Sequence, residues 1–173
     1  SFDLVQHIDT VLAAIAGHEL EHQINTELMQ SVIEIATPVC HSPADVMREL
    51  VKLRGYVCGV ARASGLRVGS AGTHPFAMWE DQRIVARPRY RDLVAALRFV
   101  ARQELIFGVH VHVGIDDPDK AIHVANGMRV HIPILFALAA NSPYWRADAT
   151  GFASTRMPIF RAFPRVGIPP FYD

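Results

Sequence analysis

Apolar positions at helical spacing open the chain: Leu4, Val5, Ile8, Val11, Leu12 and Ile15 fall on one face between Asp3 and Ala16, with Gly17 as a natural stop. This pattern predicts a core-facing helix. His18, Glu19, Glu21 and His22 follow as a polar cluster that reads as a solvated loop. From Glu27 to Pro38 the second half turns β-branched and closes at a proline, as a strand does. Alternation there separates Ile33 and Ile35 from Val32, Glu34 and Ala36. Two readings of Glu34 stand side by side, a charge pointing into a site or one face of a half-buried strand meeting water.

Ser42-Pro43-Ala44-Asp45 has the form of a helix start, with Ser42 as cap and Pro43 in the first turn. Val46, Leu50, Leu53, Val57 and Val60 then form an apolar stripe that Gly65 ends, and Cys58 beside it is a small buried hydrophobe. Leu66 to Gly72 reads as a strand running into the turn Gly72-Thr73-His74-Pro75-Phe76-Ala77. A polar surface excursion, Met78 to Arg87, leads to a second helix from Pro88, with Leu93, Leu97 and Val100 as its stripe. That helix delivers the chain to its most distinctive stretch, Phe107-Gly108-Val109-His110-Val111-His112-Val113-Gly114. In a strand, both imidazoles point to one face and the valines to the other. The histidine face is then a cavity wall, because buried imidazoles need partners.

Asp117 caps a third long helix before Pro118, with Ile122, Ala125, Met128, Ile132, Leu135 and Leu138 as apolar content and Pro133 as a bend. Asp116-Asp117-Pro118-Asp119 lacks the glycine and later glutamate of a calcium loop. The tail beyond Gly151 reads as loop, with Arg156, Arg161 and Arg165 spaced among glycines and prolines.

Composition narrows the class. At 173 residues the chain fits one domain, 1–173, with a real core, and its 17 basic and 17 acidic residues give no overall pull toward nucleic acid or a membrane. Cys40 and Cys58 are too few for a disulfide framework, so a reducing cytoplasm is expected. No uncharged apolar run reaches spanning length. Both ends look cut, which suggests a piece of a longer protein. Carboxylate and imidazole on cavity-facing strands can hold magnesium, manganese or zinc, and an arginine beside a metal suits a polyanionic substrate. No Walker glycine loop or kinase signature is present.

Ile33-Glu34-Ile35-Ala36-Thr37-Pro38, Gly72-Thr73-His74-Pro75-Phe76, Arg89-Tyr90, Gly108 to Gly114, Ala137-Leu138-Ala139-Ala140-Asn141-Ser142-Pro143 and Gly151 to Arg156 together resemble the YbdK-type carboxylate-amine ligases, the second glutamate-cysteine ligase family. Order and intervals match from about Gln30 to Pro170. The resemblance implies an α+β, glutamine-synthetase-like fold: an antiparallel sheet curved into a funnel, helices outside, ATP and Mg2+ or Mn2+ inside. It implies glutamate-cysteine ligase chemistry, in which a carboxylate is activated as an acyl phosphate and taken by an amine. Carried over by position, Glu34 and His110 are metal ligands, with His110 also a catalytic phosphate contact. His112 is a cofactor neighbour, Arg156 meets the anionic substrate or transferred phosphoryl group, and Thr73 and His74 form substrate wall.

Small-molecule substrates are the implied partners, with no nucleic acid and no membrane, and a homo-oligomer is left open. Family members begin with a Gly-Val-Glu-x-Glu strand and continue far beyond the position of Pro170; neither pattern occurs here. We therefore expect a fragment with little ligase activity alone. Two alternatives remain, a metal-dependent hydrolase built on His-x-His and a truncated, non-catalytic ligase domain.

Overall fold

A computed structural model describes residues 2–172. It is a mixed α and β structure made of two compact units, one comprising residues up to Ser70 together with Met78–Arg98, the other Ala71–Ala77 together with the chain from Phe99 onward.

In the first unit, helix α1 (Ile8–Ile15) buries Ile8, Val11 and Ile15, and packs against strand β1 (Ile24–Thr26) and helix α2 (Pro43–Ala63). α1 starts later than the apolar pattern from Asp3 suggests. Strand β2 (Ile33–Ile35) pairs antiparallel with β1, Asn25 opposite Glu34. The expected strand is thus confirmed in its central three residues, with a partner that the sequence pattern did not reveal. Ile33 and Ile35 pack on a core of Ile15, Leu20, Ile24, Leu53 and Val57, which forces the intervening Glu34 to the other, exposed face.

The ends of α2 are written locally. Ser42 Oγ accepts from the Asp45 amide at 3.2 Å, and Pro43 occupies the first turn. At the other end the Leu66 amide donates to Ala61 O at 2.8 Å and Gly65 N to Arg62 O at 3.0 Å, the paired closure that needs a left-handed residue, here Gly65 at φ +73°. Leu53, Val57 and Ala61 are the buried face, whereas Val46 at the start of the expected stripe is exposed. Cys58 is half-buried. Helix α3 (Pro88–Leu97) follows; its buried residue is Tyr90, whose hydroxyl donates to Thr26 O at 2.9 Å, while Leu93 and Leu97 are half-buried.

Three expectations are corrected. Leu66 to Gly72 forms no strand. In the second unit, Phe107 to Gly114 likewise lies outside any sheet among the described residues, and Val109, Val111 and Val113 are 87%, 81% and 74% exposed. Alternation suits a strand, yet a ladder also requires a neighbouring backbone, and the pairing here stops at the Thr73–Ile106 bridge and the 2.9 Å bond from Phe107 N to Gly72 O. The tail, finally, is more ordered than its glycines and prolines suggest. Arg156–Phe160 form a short helix, and just ahead of the tail Tyr144–Trp145 (β3) and Asp148–Ala149 (β4) make a hairpin. The hairpin turn places Arg146 and Ala147 at φ +54° and +68°, a primed turn without the usual glycine or asparagine, which hides it from pattern reading.

Phe99–Arg102 is a single helical turn (α4). Asp117 caps α5 (Pro118–Met128) by accepting from the Lys120 amide at 2.8 Å. A tight turn, Arg129–His131, then precedes α6 (Ile132–Ala139), so the break falls where Pro133 requires it; the helix at Arg156–Phe160 is accordingly α7. Pro118–Ala139 is long and apolar enough to cross a membrane by length and composition, with mean hydropathy 1.3, although it carries Asp119, Lys120 and Arg129. Leu135 and Leu138 on it are exposed.

The core of the first unit depends most on Leu53, which is fully buried. Leu53→Ala is expected to cost about 3 kcal/mol through lost burial and the cavity left behind. Urea unfolding followed by circular dichroism measures it.

Candidate functional site

The buried residues of the second unit are of a different kind from those of the first. Alongside Ala101 and Leu105, Thr73, Glu104, Ser142 and Thr155 are buried. Buried polar groups require partners, and the partners here knit four loop segments together. Ser142 N donates to Ala153 O at 3.1 Å, Thr155 N to Ser142 O at 2.8 Å, and Arg156 N to Ser142 Oγ at 3.3 Å. Thr73 Oγ1 donates to Tyr144 O at 2.8 Å. Gly72 lies so close beneath Asn141 and Ser142 that a Cβ would sit 2.7 Å from Asn141 Oδ1 and 2.8 Å from Ser142 Oγ. The Asn141-Ser142-Pro143 turn is therefore the clamp that sets where α7 begins.

The first residue of α7 is Arg156, half-buried, and its Nε donates to Phe107 O at 2.9 Å. Its guanidinium runs over the backbone of Gly108, where a Cβ would stand 2.9 Å from Nη2 and 3.4 Å from His110 Nε2. Glycine at 108 is what lets the guanidinium approach. The carbon at the centre of the guanidinium lies 5.2 Å from the Phe160 ring, which leaves the fork wedged between ring and backbone. Burial lowers the pKa of Arg156 and the charge of Glu104 partly offsets that. A fork with its Nε fixed, its Nη2 over the glycine backbone and its Nη1 directed at Met157 Sδ at 3.8 Å suits a carboxylate or phosphoryl group that can replace the weak sulfur acceptor.

Glu104, which the sequence reading missed, lies two residues beyond the end of α4. It is only 9% exposed, and its Oε1 has no hydrogen-bond partner. Burial pushes its carboxyl up to about 7, against the opposing pull of the Arg156 charge. A carboxylate next to Leu105 and a run into Phe107-Gly108 was the available signal, since a charged residue flanked by residues bound for the interior needs a reason to be there.

Among the expected site residues, Arg156 and His110 come together around Gly108. His110 and His112 are exposed, their ring centroids 6.3 Å apart. Thr73 is committed to Tyr144 O, and His74 accepts through Nδ1 from the Ala77 amide at 3.0 Å, so both shape the turn they occupy. Glu34 is exposed on β2 in the first unit. Among the described residues no group of three or more His, Cys, Asp or Glu side chains is gathered as a metal site. The described residues therefore gather no self-contained multi-histidine centre of the kind a zinc hydrolase requires, whereas magnesium held mainly by phosphate oxygens and water needs only one or two protein carboxylates. The cluster His18, Glu19, Glu21 and His22 is used locally: His18 stacks on Tyr56 at 4.1 Å and Glu19 pairs with Lys52 at 3.3 Å.

Comparison with known proteins gives these residues a context. The family model of glutamate-cysteine ligase family 2 matches residues 2–173. A Rubrobacter xylanophilus protein provisionally named glutamate-cysteine ligase 2-1 is 44% identical over 170 residues, 98% of this chain and 45% of its own length. A Sorangium cellulosum protein provisionally named glutamate-cysteine ligase 2 is 42% identical over 99% of this chain and 46% of its own length. A glutamate-cysteine ligase of Halobacterium salinarum is 40% identical over 92% of this chain and 43% of its own length. The chain spans less than half the length of each of these relatives.

Glu104 gives a pH signature. Its folded-state pKa of about 7 exceeds the ordinary 4.5, so the folded chain holds a proton that the unfolded chain releases between these values. Stability is full below pH 4.5 and falls as the pH rises through 7. Relative to Glu104→Gln, wild type is expected to lose up to about 3 kcal/mol across that window. Urea unfolding of both proteins from pH 4.5 to 8.5 tests this; parallel profiles would show that Glu104 titrates normally.

Proposed function

The chain belongs to glutamate-cysteine ligase family 2, and on that premise we propose that it is part of an ATP-dependent carboxylate-amine ligase of glutamate-cysteine ligase type. The family match along the whole chain carries this reading. In the proposed reaction ATP supplies the phosphoryl group that turns a substrate carboxylate into an acyl phosphate, from which an amine displaces phosphate to leave an amide. What this chain contributes is the handling of negative charge. Arg156, fixed through Nε to Phe107 O and lying against Gly108, is the group that holds the substrate carboxylate or the phosphoryl oxygens, as preorganised electrostatic stabilisation requires. His110 lies at the same backbone and is the proposed phosphate contact, with His112 next to the nucleotide. Thr73 and His74 hold the neighbouring wall through their turn contacts. Glu34 and His110 are proposed as individual ligands of magnesium or manganese, and no step is routed through the ion.

We read residues 1–173 as one partial catalytic domain of a funnel-shaped antiparallel sheet with helices packed outside, working in the cytoplasm on small amino acid substrates. Apolar surface supports that architecture. Val109, Val111 and Val113, with Leu135, Phe136 and Leu138 of α6, are exposed, and apolar area on this scale ordinarily marks a surface that something else covers. A sheet face and the helices laid on it are such surfaces.

Phosphate release by the protein carrying this chain is expected to require ATP, magnesium, glutamate and cysteine together, and release that is equally fast without acid or amine would overturn the reading. Arg156→Met is expected to lower kcat/KM by about a hundredfold. For the exposed Glu34, Glu34→Gln should leave the melting temperature unchanged and weaken magnesium-dependent ATP binding about tenfold, or about 1.4 kcal/mol. Calorimetric titration checks this, and unchanged binding removes Glu34 from the site.

A further inference from the structure

Methionine sulfur is a weak hydrogen-bond acceptor, and oxidation makes it a strong one, because the sulfoxide carries a polar oxygen on what was an apolar side chain. Of the five methionines, Met29 is buried in the first unit, Met47 on α2 and Met128 on α5 are exposed, and Met157, the second residue of α7, is half-buried. Met157 faces a cation. Arg156 Nη1 donates to its Sδ at 3.8 Å, while Nε of the same fork is given to Phe107 O at 2.9 Å and Nη2 lies over Gly108. Sulfur thus holds the place at Nη1 that an incoming anion must take. The separation is also one that an added oxygen bridges: an oxygen bonded to Sδ and accepting from Nη1 at about 2.8 Å, at the bent angle usual for such an acceptor, sets nitrogen and sulfur as far apart as they stand here.

We propose that Met157 is an oxidative modification site whose sulfoxide weakens anion binding at Arg156. A hydroperoxide is the oxidant. The sulfur lone pair attacks the terminal peroxide oxygen and the O–O bond breaks; sulfur gives up two electrons and keeps that oxygen, whose proton passes to the departing oxygen, so that the hydroperoxide leaves as water or an alcohol. The sulfoxide oxygen then accepts from Nη1 in a charge-assisted bond, beside the bond from Nε to Phe107 O. A carboxylate or phosphoryl group finds that nitrogen already satisfied. The sulfoxide is neutral and leaves the charge of Arg156 in place, so affinity falls without vanishing, and reduction back to the thioether restores it. The inference rests on the proposed function only for the identity of the anion.

Inorganic sulfate is the probe, titrated calorimetrically into the protein carrying this chain before and after treatment with hydrogen peroxide. Dithiothreitol follows the peroxide, to return Cys40 and Cys58 to thiols, and peptide mass spectrometry counts the oxygen gained at Met157, Met47 and Met128. The sulfate affinity that is lost in Arg156→Met is expected to fall about tenfold in step with the oxidised fraction of Met157, as the loss of one hydrogen bond to a charged group predicts, and to return on treatment with methionine sulfoxide reductase. In Met157→Leu the same peroxide should leave the affinity where it was, although Met47 and Met128 gain oxygen. The proposal is overturned if Met157 stays reduced while Met47 and Met128 are converted, if its full oxidation leaves the affinity unchanged, if Met157→Leu loses affinity equally, or if untreated protein shows no sulfate binding that depends on Arg156. A fall in sulfate affinity on Met157 oxidation, in a protein without ligase turnover, would sink the ligase reading alone. Phosphate release dependent on glutamate, cysteine and ATP that is untouched by full oxidation of Met157 would sink the switch alone.

Discussion

A half-buried guanidinium can be held in one place only if its surroundings supply acceptors and leave out bulk, and the second unit meets both conditions at Arg156. Phe107 O accepts a hydrogen bond from Nε, and Gly108 offers a surface without a side chain. Ser142 Oγ receives the Arg156 amide, so backbone and side chain are fixed from opposite ends. Remove any of these and the fork would relax toward water, where an arginine binds anions weakly. The loops around it make sense as the means of bringing 72–73, 106–108, 141–143 and 153–156 into one place without a large sheet.

The two units solve the burial problem differently. In the first, Leu53, Val57, Ile15 and Ile24 exclude water by apolar contact, and helix α2 can be trusted to its local caps. In the second, Ser142, Thr155, Thr73 and Glu104 are buried with Leu105 and Ala101. Three of these four polar residues have their hydrogen bonds met by neighbouring loops. Low local polarisability strengthens satisfied bonds and penalises unsatisfied ones alike. That is why the orphaned oxygen of Glu104 stands out: in an interior that otherwise satisfies its polar atoms so consistently, an exception calls for a ligand or a proton.

How much of this was legible in the sequence follows from how local each cause is. Helix α2 and the cap at Asp117 were readable because Ser42, Gly65 and Asp117 act within a few residues of themselves. The break before Pro133 was readable for the same reason. Strand β1 was not, because three residues, Ile24 to Thr26, carry too little alternation to register. The stretch Phe107 to Gly114 shows the converse failure: its pattern was strong and its ladder is absent, since pairing depends on a neighbour that no local pattern contains. Arg156 was found through resemblance and has a built setting. Glu104 escaped because its burial depends on how distant loop segments close over it, which spacing does not encode.

The exposed histidines then acquire a specific physical meaning. The rings of His110 and His112 stand 6.3 Å apart, and the valines that alternate with them are largely in water. Covering Val109, Val111 and Val113 would remove apolar surface worth roughly 1.5 kcal/mol or more for each side chain, beside the glycine at which His110 and the Arg156 guanidinium already meet.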